Sequence, residues 1–429
     1  MAQVIPARIG SPAAIPHWAR RLVVGALLAF GCTDDSDPST AIEQVRAAAF
    51  ASWTAPVQDP LELLPFPGVP APVLRTLDNQ TIRQILRISA GGQELRVRLS
   101  NRFGPDPIHF DRAAVALNQG GSTIDVSSQL PLTFAGSASV TVPVGEEAWS
   151  DFVPLITSHE QSLAVTLYSA GPSPMGTAHS LGRQTTYITT GDALSAATLP
   201  SQPDAPTSYY WLNAIEVSGG PQRRVVVAFG DSITDGFNST LDANHRYPNY
   251  LSALLTGASA PGSFSVVNAG ISGNRVLNDI VGPAGVSRFA HDAIEPKGVQ
   301  DVVILLGVND IGIPFFSGSQ DVTAEQITGG LDTMLGAANA RGLRVYLSTL
   351  LPFQGAGYYS DAGEAKRKAV NDWIRTKQGV RAVVDFDELM ANPANPLTMV
   401  PAFDSGDHLH PNDAGYETMA GAVESVLAP

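Results

Sequence analysis

Cysteine is almost missing: Cys32 is the only one in 429 residues, so no intramolecular disulfide can form. Basic residues are scarce too, 26 Lys and Arg against 40 Asp and Glu, for a formal charge of −14. That deficit argues against nucleic acid as a partner, because neutralising phosphates needs basic patches. No apolar run approaches the ~20 residues of a membrane-spanning helix. The His-Glu-x-x-His pattern of many zinc hydrolases is absent. What remains is 44% hydrophobic and long enough for two or three domains with ample core.

The start of the chain reads as an address rather than as structure. Arg20-Arg21 precede a short apolar stretch, Leu22 to Phe30, and then Gly31-Cys32. A basic flank, a short apolar core and a small residue at the cut make an export signal over residues 1–32. The position of Cys32 resembles a bacterial lipoprotein signal, which implies a lipid-bearing Cys32 and attachment to a membrane. Ala29 and Phe30 stand where that pattern carries Leu and a small residue. An ordinary export signal beside an incidental Cys32 is the alternative. The acidic stretch TDDSDPST opens a linker assigned to 33–50.

From about residue 51 to 217 the pattern has a period of two. ELRVRLSN alternates Leu95, Val97 and Leu99 with Arg96, Arg98 and Ser100, and SVTVPV and SLAVTLYS repeat the alternation. Turns rich in Gly, Pro and Asn separate these runs, and no long helical pattern interrupts them. An all-β sandwich, jelly-roll-like, is the expectation. SGGPQ, residues 218–222, marks a domain boundary. Over 223–429 strand-like runs at 225–229, 264–268, 301–306, 343–349 and 380–384 alternate with helical segments, notably 323–341 and 361–378. Such alternation implies right-handed crossovers and a parallel sheet covered on both faces.

The chemistry is expected at the strand ends. VVVAFGDSITDG runs from a buried apolar strand into Gly230-Asp231-Ser232, and ligands bind beyond the carboxyl ends of such strands. Alone, Ser232 reads as a helix cap. A base is supplied far away, in DSGDHLHPNDAGYETMAGAVESVL, where Asp407 and His410 lie on the approach to an amphipathic helix whose start Pro411 is expected to fix. Three residues apart on a turn, the carboxylate can reach one ring nitrogen and leave the other to take a proton from a Ser hydroxyl. Asp407, His408 and His410 read instead as metal ligands would lack the second His or acid pair that a hydrolytic metal site needs. No metal or other cofactor is expected. His179 and His245 are expected to have hydrogen-bonded structural roles or to sit at the surface.

Four blocks, Gly230-Asp231-Ser232, NAGISGNR, GVND and DHLHP, stand in order at sensible spacing over 223–429. Together they resemble the SGNH, or GDSL-like, hydrolase superfamily. The resemblance implies a flavodoxin-like α/β/α fold, with Ser232 as nucleophile, His410 as general base and Asp407 as its orienter. It also implies an oxyanion hole made by the Ser232 backbone N–H, the Gly273 backbone N–H and the Asn309 side chain. Gly270 is the alternative to Gly273 in the same block. Asp231 is expected to support the turn around Ser232, and Asp310 to be a structural hydrogen-bonder. The leading β region, through TIRQILRISAGGQELRVRLSNRFG and TAHSLGRQTTYI, resembles that of secreted acetylxylan-type esterases.

The expected function is therefore a secreted serine esterase acting on short-chain, acetyl esters, with a small-molecule or polysaccharide ester as substrate. The segments after the strands, GNRVLNDIVGPAGVSRF and GIPFFSGSQD, are Gly-rich and polar, which predicts an open cleft without a lipase-type lid. A lipolytic esterase or lysophospholipase with the same triad is the alternative. A catalytically silent carbohydrate-binding surface protein is the third class.

Overall fold

The computed structural model describes residues 48–60, 76–203, 205–257, 264–317 and 320–427, with Glu43 and Arg46. The export segment, Cys32 and nearly all of the acidic linker lie outside the described residues.

Alternation builds the first half. In β3 (Glu94–Ser100) Leu95, Val97 and Leu99 are buried while Arg96 and Arg98 reach the surface, where Arg96 pairs with Glu216 and lies over the Trp149 ring. A four-stranded antiparallel sheet is ordered β1 (Phe50–Thr54), β8 (Leu212–Ser218), β3, β5 (Glu147–Trp149). A second antiparallel sheet is ordered β7 (Thr186–Thr190), β2 (Gln80–Arg87), β6 (Ser162–Ser169), β4 (Arg112–Gly120), extended by short strands at Thr123–Ile124 and Leu130–Leu132. Their apolar sides meet in one core, Val97 and Ile215 from the first and Ile82, Val115 and Val165 from the second.

The architecture changes between Ser218, the end of β8, and Arg224, the start of β9 (Arg224–Gly230). Val225 to Phe229 are wholly buried, as expected of a strand covered on both faces. β10 (Phe264–Gly270), β11 (Val299–Leu305), β12 (Arg344–Ser348) and β13 (Ala382–Val384) complete a parallel sheet ordered β10-β9-β11-β12-β13. Counted from its own first strand the order is 2-1-3-4-5, which reverses direction between the first and third strands and opens a crevice there. The helices start where their caps say. A Thr323–Gln326 capping box opens α4 (Ala324–Ala340), and Ser360 caps α5 (Asp361–Thr376). In α6 (Asp413–Leu427) Tyr416, Met419, Ala420, Val423 and Leu427 form the buried stripe.

The antiparallel sheets are joined closely to the parallel one, and from Val45 to Pro429 the chain forms one unit. β1 runs beside β10, an edge strand. Thr54 donates its hydroxyl to the Asn268 carbonyl (2.7 Å), the Ser265 hydroxyl donates to the Ala51 carbonyl (2.8 Å), and the Val266 N–H donates to the Ser89 hydroxyl (2.7 Å).

A second tie is ionic. His291 places Nε2 3.1 Å from Glu147 on β5 and Nδ1 2.6 Å from Asp292, and Arg98 also faces Glu147 at 3.2 Å. Burial alone would lower the His291 pKa, but the hydrogen bonds and charges of Asp292 and Glu147 push it up to about 9. A histidine raised from 6.5 binds its proton more tightly when folded, so its stabilisation is complete below pH 6.5 and is lost as pH climbs through about 9. The loss is on the order of 3 kcal/mol, a rise of about two and a half pKa units at about 1.4 each. Thermal unfolding across this window should therefore show a steeper decline for the wild type than for His291→Gln. Parallel curves would remove His291 from the account.

Candidate active site

β9, β10 and β11 are neighbours, so the three polar strand ends noted in the sequence converge on one edge, at the point where the strand order reverses. Past β9 the chain makes a single helical turn, α1 (Ser232–Asp235). Asp231 caps it, its carboxylate accepting the Ile233 N–H at 3.1 Å, and so holds the turn as expected. Ser232 is the first helical residue, where a backbone N–H has no acceptor within the helix. Burial pushes the Asp231 carboxyl up to about 7, with the Ile233 N–H opposing and the Asp310 charge adding.

The base arrives from the loop before α6. His410 Nε2 lies 2.8 Å from Ser232 Oγ, and its Nδ1 lies 2.6 Å from Asp407 Oδ2. The Asp407 carboxylate also accepts the N–H groups of Leu409 (3.0 Å) and His410 (2.8 Å) and the Asn238 side-chain amide (3.0 Å). Burial would raise its pKa, but the hydrogen bond and charge of His410, with these backbone donors, hold it well below the usual carboxylate range. Phe237 packs on the imidazole, ring centroids 4.5 Å apart. A carboxylate so placed keeps a proton on Nδ1 and leaves Nε2 to take one from the serine hydroxyl. His408 turns away, its Nδ1 2.6 Å from Asp404. Pro411 is not the first helical residue: Asn412 is interposed and caps α6 by accepting the Gly415 N–H (3.0 Å), an oxygen acceptor that proline lacks.

The loop after β10 brings the second block beside Ser232. Gly270 packs so tightly that a Cβ would come within 2.3 Å of the Asp235 nitrogen, and its N–H is spent on the Asn268 side chain (2.8 Å). Gly273 adopts φ +81°, the left-handed backbone that glycine tolerates best. Asp310 fastens the rest of the loop, accepting the Val276 and Leu277 N–H groups at 2.7 and 3.3 Å. Burial pushes its carboxyl up to about 6, against the Val276 N–H and the Arg275 charge. The Asn309 side-chain amide lies buried beside this loop and donates one N–H to the Asn274 carbonyl at 3.1 Å, while its oxygen faces the Tyr358 hydroxyl at 3.5 Å. An amide nitrogen carries two protons, so a second donor remains.

The segment GIPFFSGSQD begins as a helix, α3 (Val308–Ser317), which runs through Pro314. Val308, Ile311 and Ile313 are buried along it and hold the helix despite the lost N–H. The nucleophile is also more enclosed than an open cleft implies, since Ser232 is 6% exposed and His410 8%.

Several residues around the site had no sequence signal. Arg288 is fully buried and donates to the carbonyls of Gly230 (2.8 Å) and Ala269 (2.9 Å) and to Asn274 Oδ1 (2.9 Å), lacing two strand ends to the second-block loop. Asp235 accepts the Ser272 hydroxyl (2.6 Å) and N–H (3.1 Å). Phe237 and Tyr358 were likewise unmarked. His179 is buried with hydrogen bonds at both ring nitrogens, and His245 is bound to Asp413 (2.6 Å), so both have structural partners.

The GDSL-like lipase/acylhydrolase family model matches residues 228–418. An acetylxylan esterase of Xylanibacter ruminicola is 25% identical over 238 residues, covering 51% of this chain and 45% of that protein, so the chain spans less than half the length of this relative. Among solved structures, an acetylxylan esterase from Geobacillus stearothermophilus matches with 23% identity and a TM-score of 0.37, over 48% of this chain and 94% of that one. The aryl esterase of M. smegmatis matches with 18% identity and a TM-score of 0.39, over 48% and 98%. Residues 228–418 are thus a domain of the GDSL-like lipase/acylhydrolase, or SGNH, family.

Proposed function

We propose that this protein is an exported serine esterase that removes acetyl groups from carbohydrate esters. The observation that carries the reading is the hydrogen-bonded chain Ser232–His410–Asp407 at the switch point of the parallel sheet. Ser232 Oγ attacks the ester carbonyl as its proton passes to His410 Nε2, and Asp407 steadies the imidazolium. The proton then goes to the leaving alcohol, and a water activated by the same ring releases the acid. The negative oxygen of each tetrahedral intermediate is received by the N–H groups of Ser232 and Gly273 and the Asn309 amide, donors typically worth ~3–4 kcal/mol each. Gly270 is a poor rival to Gly273, its N–H being bonded already.

Acetyl preference is supported by the low exposure of Ser232 and His410 and by the acetylxylan esterase relative. The antiparallel region is read as a jelly-roll-like sandwich, in keeping with the pairing of its first strand with its last, Phe50 opposite Val217. Export and a lipid on Cys32 belong to the same reading, and mass spectrometry of the mature protein tests them. Among the described residues no helix is long and apolar enough to cross a membrane.

The test of activity is a panel of acetylated oligosaccharides and p-nitrophenyl esters of rising chain length, with an active-site-directed phosphonate to mark the nucleophile. Labelling of Ser232 and the highest kcat/KM with acetyl esters are expected. A kcat/KM that climbs steadily to octanoyl, with acetylated sugars untouched, would favour a lipolytic enzyme. A chain that neither labels nor hydrolyses would be a binding protein.

A further inference from the structure

His179 belongs to the antiparallel region, on the short strand Ala178–His179, yet its ring reaches into the SGNH domain. Nε2 lies 2.9 Å from Asp235 Oδ1 and Nδ1 lies 2.8 Å from the Pro56 carbonyl. Both partners only accept, so each ring nitrogen donates. His179 and Asp235 are 4% and 3% exposed, which puts this pair in a setting where a lost partner is costly. The other Asp235 oxygen accepts the hydroxyl and N–H of Ser272, the residue before Gly273. One carboxylate therefore joins the turn that carries Ser232, the loop that carries Gly273, and a histidine from outside the SGNH domain.

We propose that His179 is a positioning residue for ester hydrolysis: by donating to Asp235 it fixes the carboxylate that sets the Gly273 N–H relative to Ser232. The inference rests on the esterase reading above. Without the His179 donor, the described side-chain hydrogen bonds to the Asp235 carboxylate come from Ser272 alone. The loop it holds includes a glycine at positive φ, so it can relax. A displacement near 1 Å at a reacting centre can cost about 10² in rate. The antiparallel region would then be part of the catalytic unit.

Docking of the two regions does not depend on this one bond. Arg246 donates to the Gly182 carbonyl, Arg183 donates to the Ser239 carbonyl, and Thr185 binds Asp242 through its N–H and hydroxyl at 2.6 and 2.7 Å. A cavity of about 40 Å3 beside His179, Asp235, Asn249 and Asn268 leaves slack for a substituted side chain.

Two isosteric changes separate the two donors. His179→Gln keeps a nitrogen donor at the reach of Nε2, toward Asp235, whereas His179→Asn keeps one only at the reach of Nδ1, toward Pro56. In the full chain, kcat for an acetyl ester should stay within about threefold of wild type in His179→Gln and fall about 10²-fold in His179→Asn, with KM changed less than about twofold in both. Ser272→Ala, too small a change to unfold the domain, should lower kcat in the same sense. Combined with His179→Asn it should cost less than the product of the two losses. Wild-type kcat in folded His179→Asn, or equal losses in the Gln and Asn variants, would overturn the proposal. If His179→Asn fails to fold, an unchanged kcat in Ser272→Ala overturns it instead. A wild-type protein that neither hydrolyses esters nor takes up a phosphonate would mean that the esterase reading itself has failed.

Discussion

Ser232→Ala is expected to lower kcat for ester hydrolysis by about 10⁶-fold, and His410→Ala by a similar factor. The two side chains carry one proton transfer: Oγ and Nε2 are 2.8 Å apart, and neither achieves anything without the other. The double variant should therefore be no worse than either single one, far from the product of two losses. What survives would be the contribution of the oxyanion donors and of substrate binding, which both variants retain. Folding should be unaffected by Ser232→Ala, because Asp231 rather than Ser232 caps the turn. Steady-state kinetics with an acetyl ester, beside thermal unfolding of the same samples, checks both statements. Retention of a tenth of the activity in Ser232→Ala would mean that the nucleophile lies elsewhere.

Asn309→Ala is expected to reduce kcat by roughly 10²–10³ with KM almost unchanged. The amide is held in one orientation, one N–H given to the Asn274 carbonyl and its oxygen facing Tyr358. A donor so fixed needs little rearrangement when charge develops on the substrate oxygen, and so it acts chiefly in the transition state. A ground-state role would leave kcat intact and raise KM. Since Asn309 also supports Asn274, thermal unfolding should accompany the kinetics, and a large kcat loss at near-native stability is the outcome that identifies the donor.

How much of this was legible beforehand depended on whether a feature lives within one element or between several. The parallel strands fell within two residues of expectation, because burial on both faces writes itself as a continuous apolar run such as Val225 to Phe229. The Asp407–His410 pair was legible because both partners lie on one turn. Pairing of Ser232 with His410, 178 positions apart, rested on the ordered blocks and on the rule that strand ends gather on one edge. Arg288 and Tyr358 escaped because their partners are on other elements, and nothing in local periodicity marks a side chain aimed at a distant group; His179 was singled out, but its partner Asp235 was not legible for the same reason. Arg288 was hidden further, since an arginine in a Gly-rich stretch reads as a solvated residue until its four acceptors are seen around it. The helix through Pro314 had no local mark, because a proline interrupts the pattern and its buried face is supplied only by tertiary packing.

The edge strand β10 bears on what could be cut away. Its outer side is served by Thr54, Ser89 and the Ala51 carbonyl, so that hydroxyl groups from the antiparallel region stand where the backbone of a further strand would otherwise pair. A fragment beginning near Arg223 would strip these partners from Val266 and Asn268 and leave a bare β-edge in water. Exposed edges of that kind recruit other chains and aggregate. The first half of this protein thus also acts as a guard against self-association of the second, and separating them would cost solubility before any question of catalysis arose.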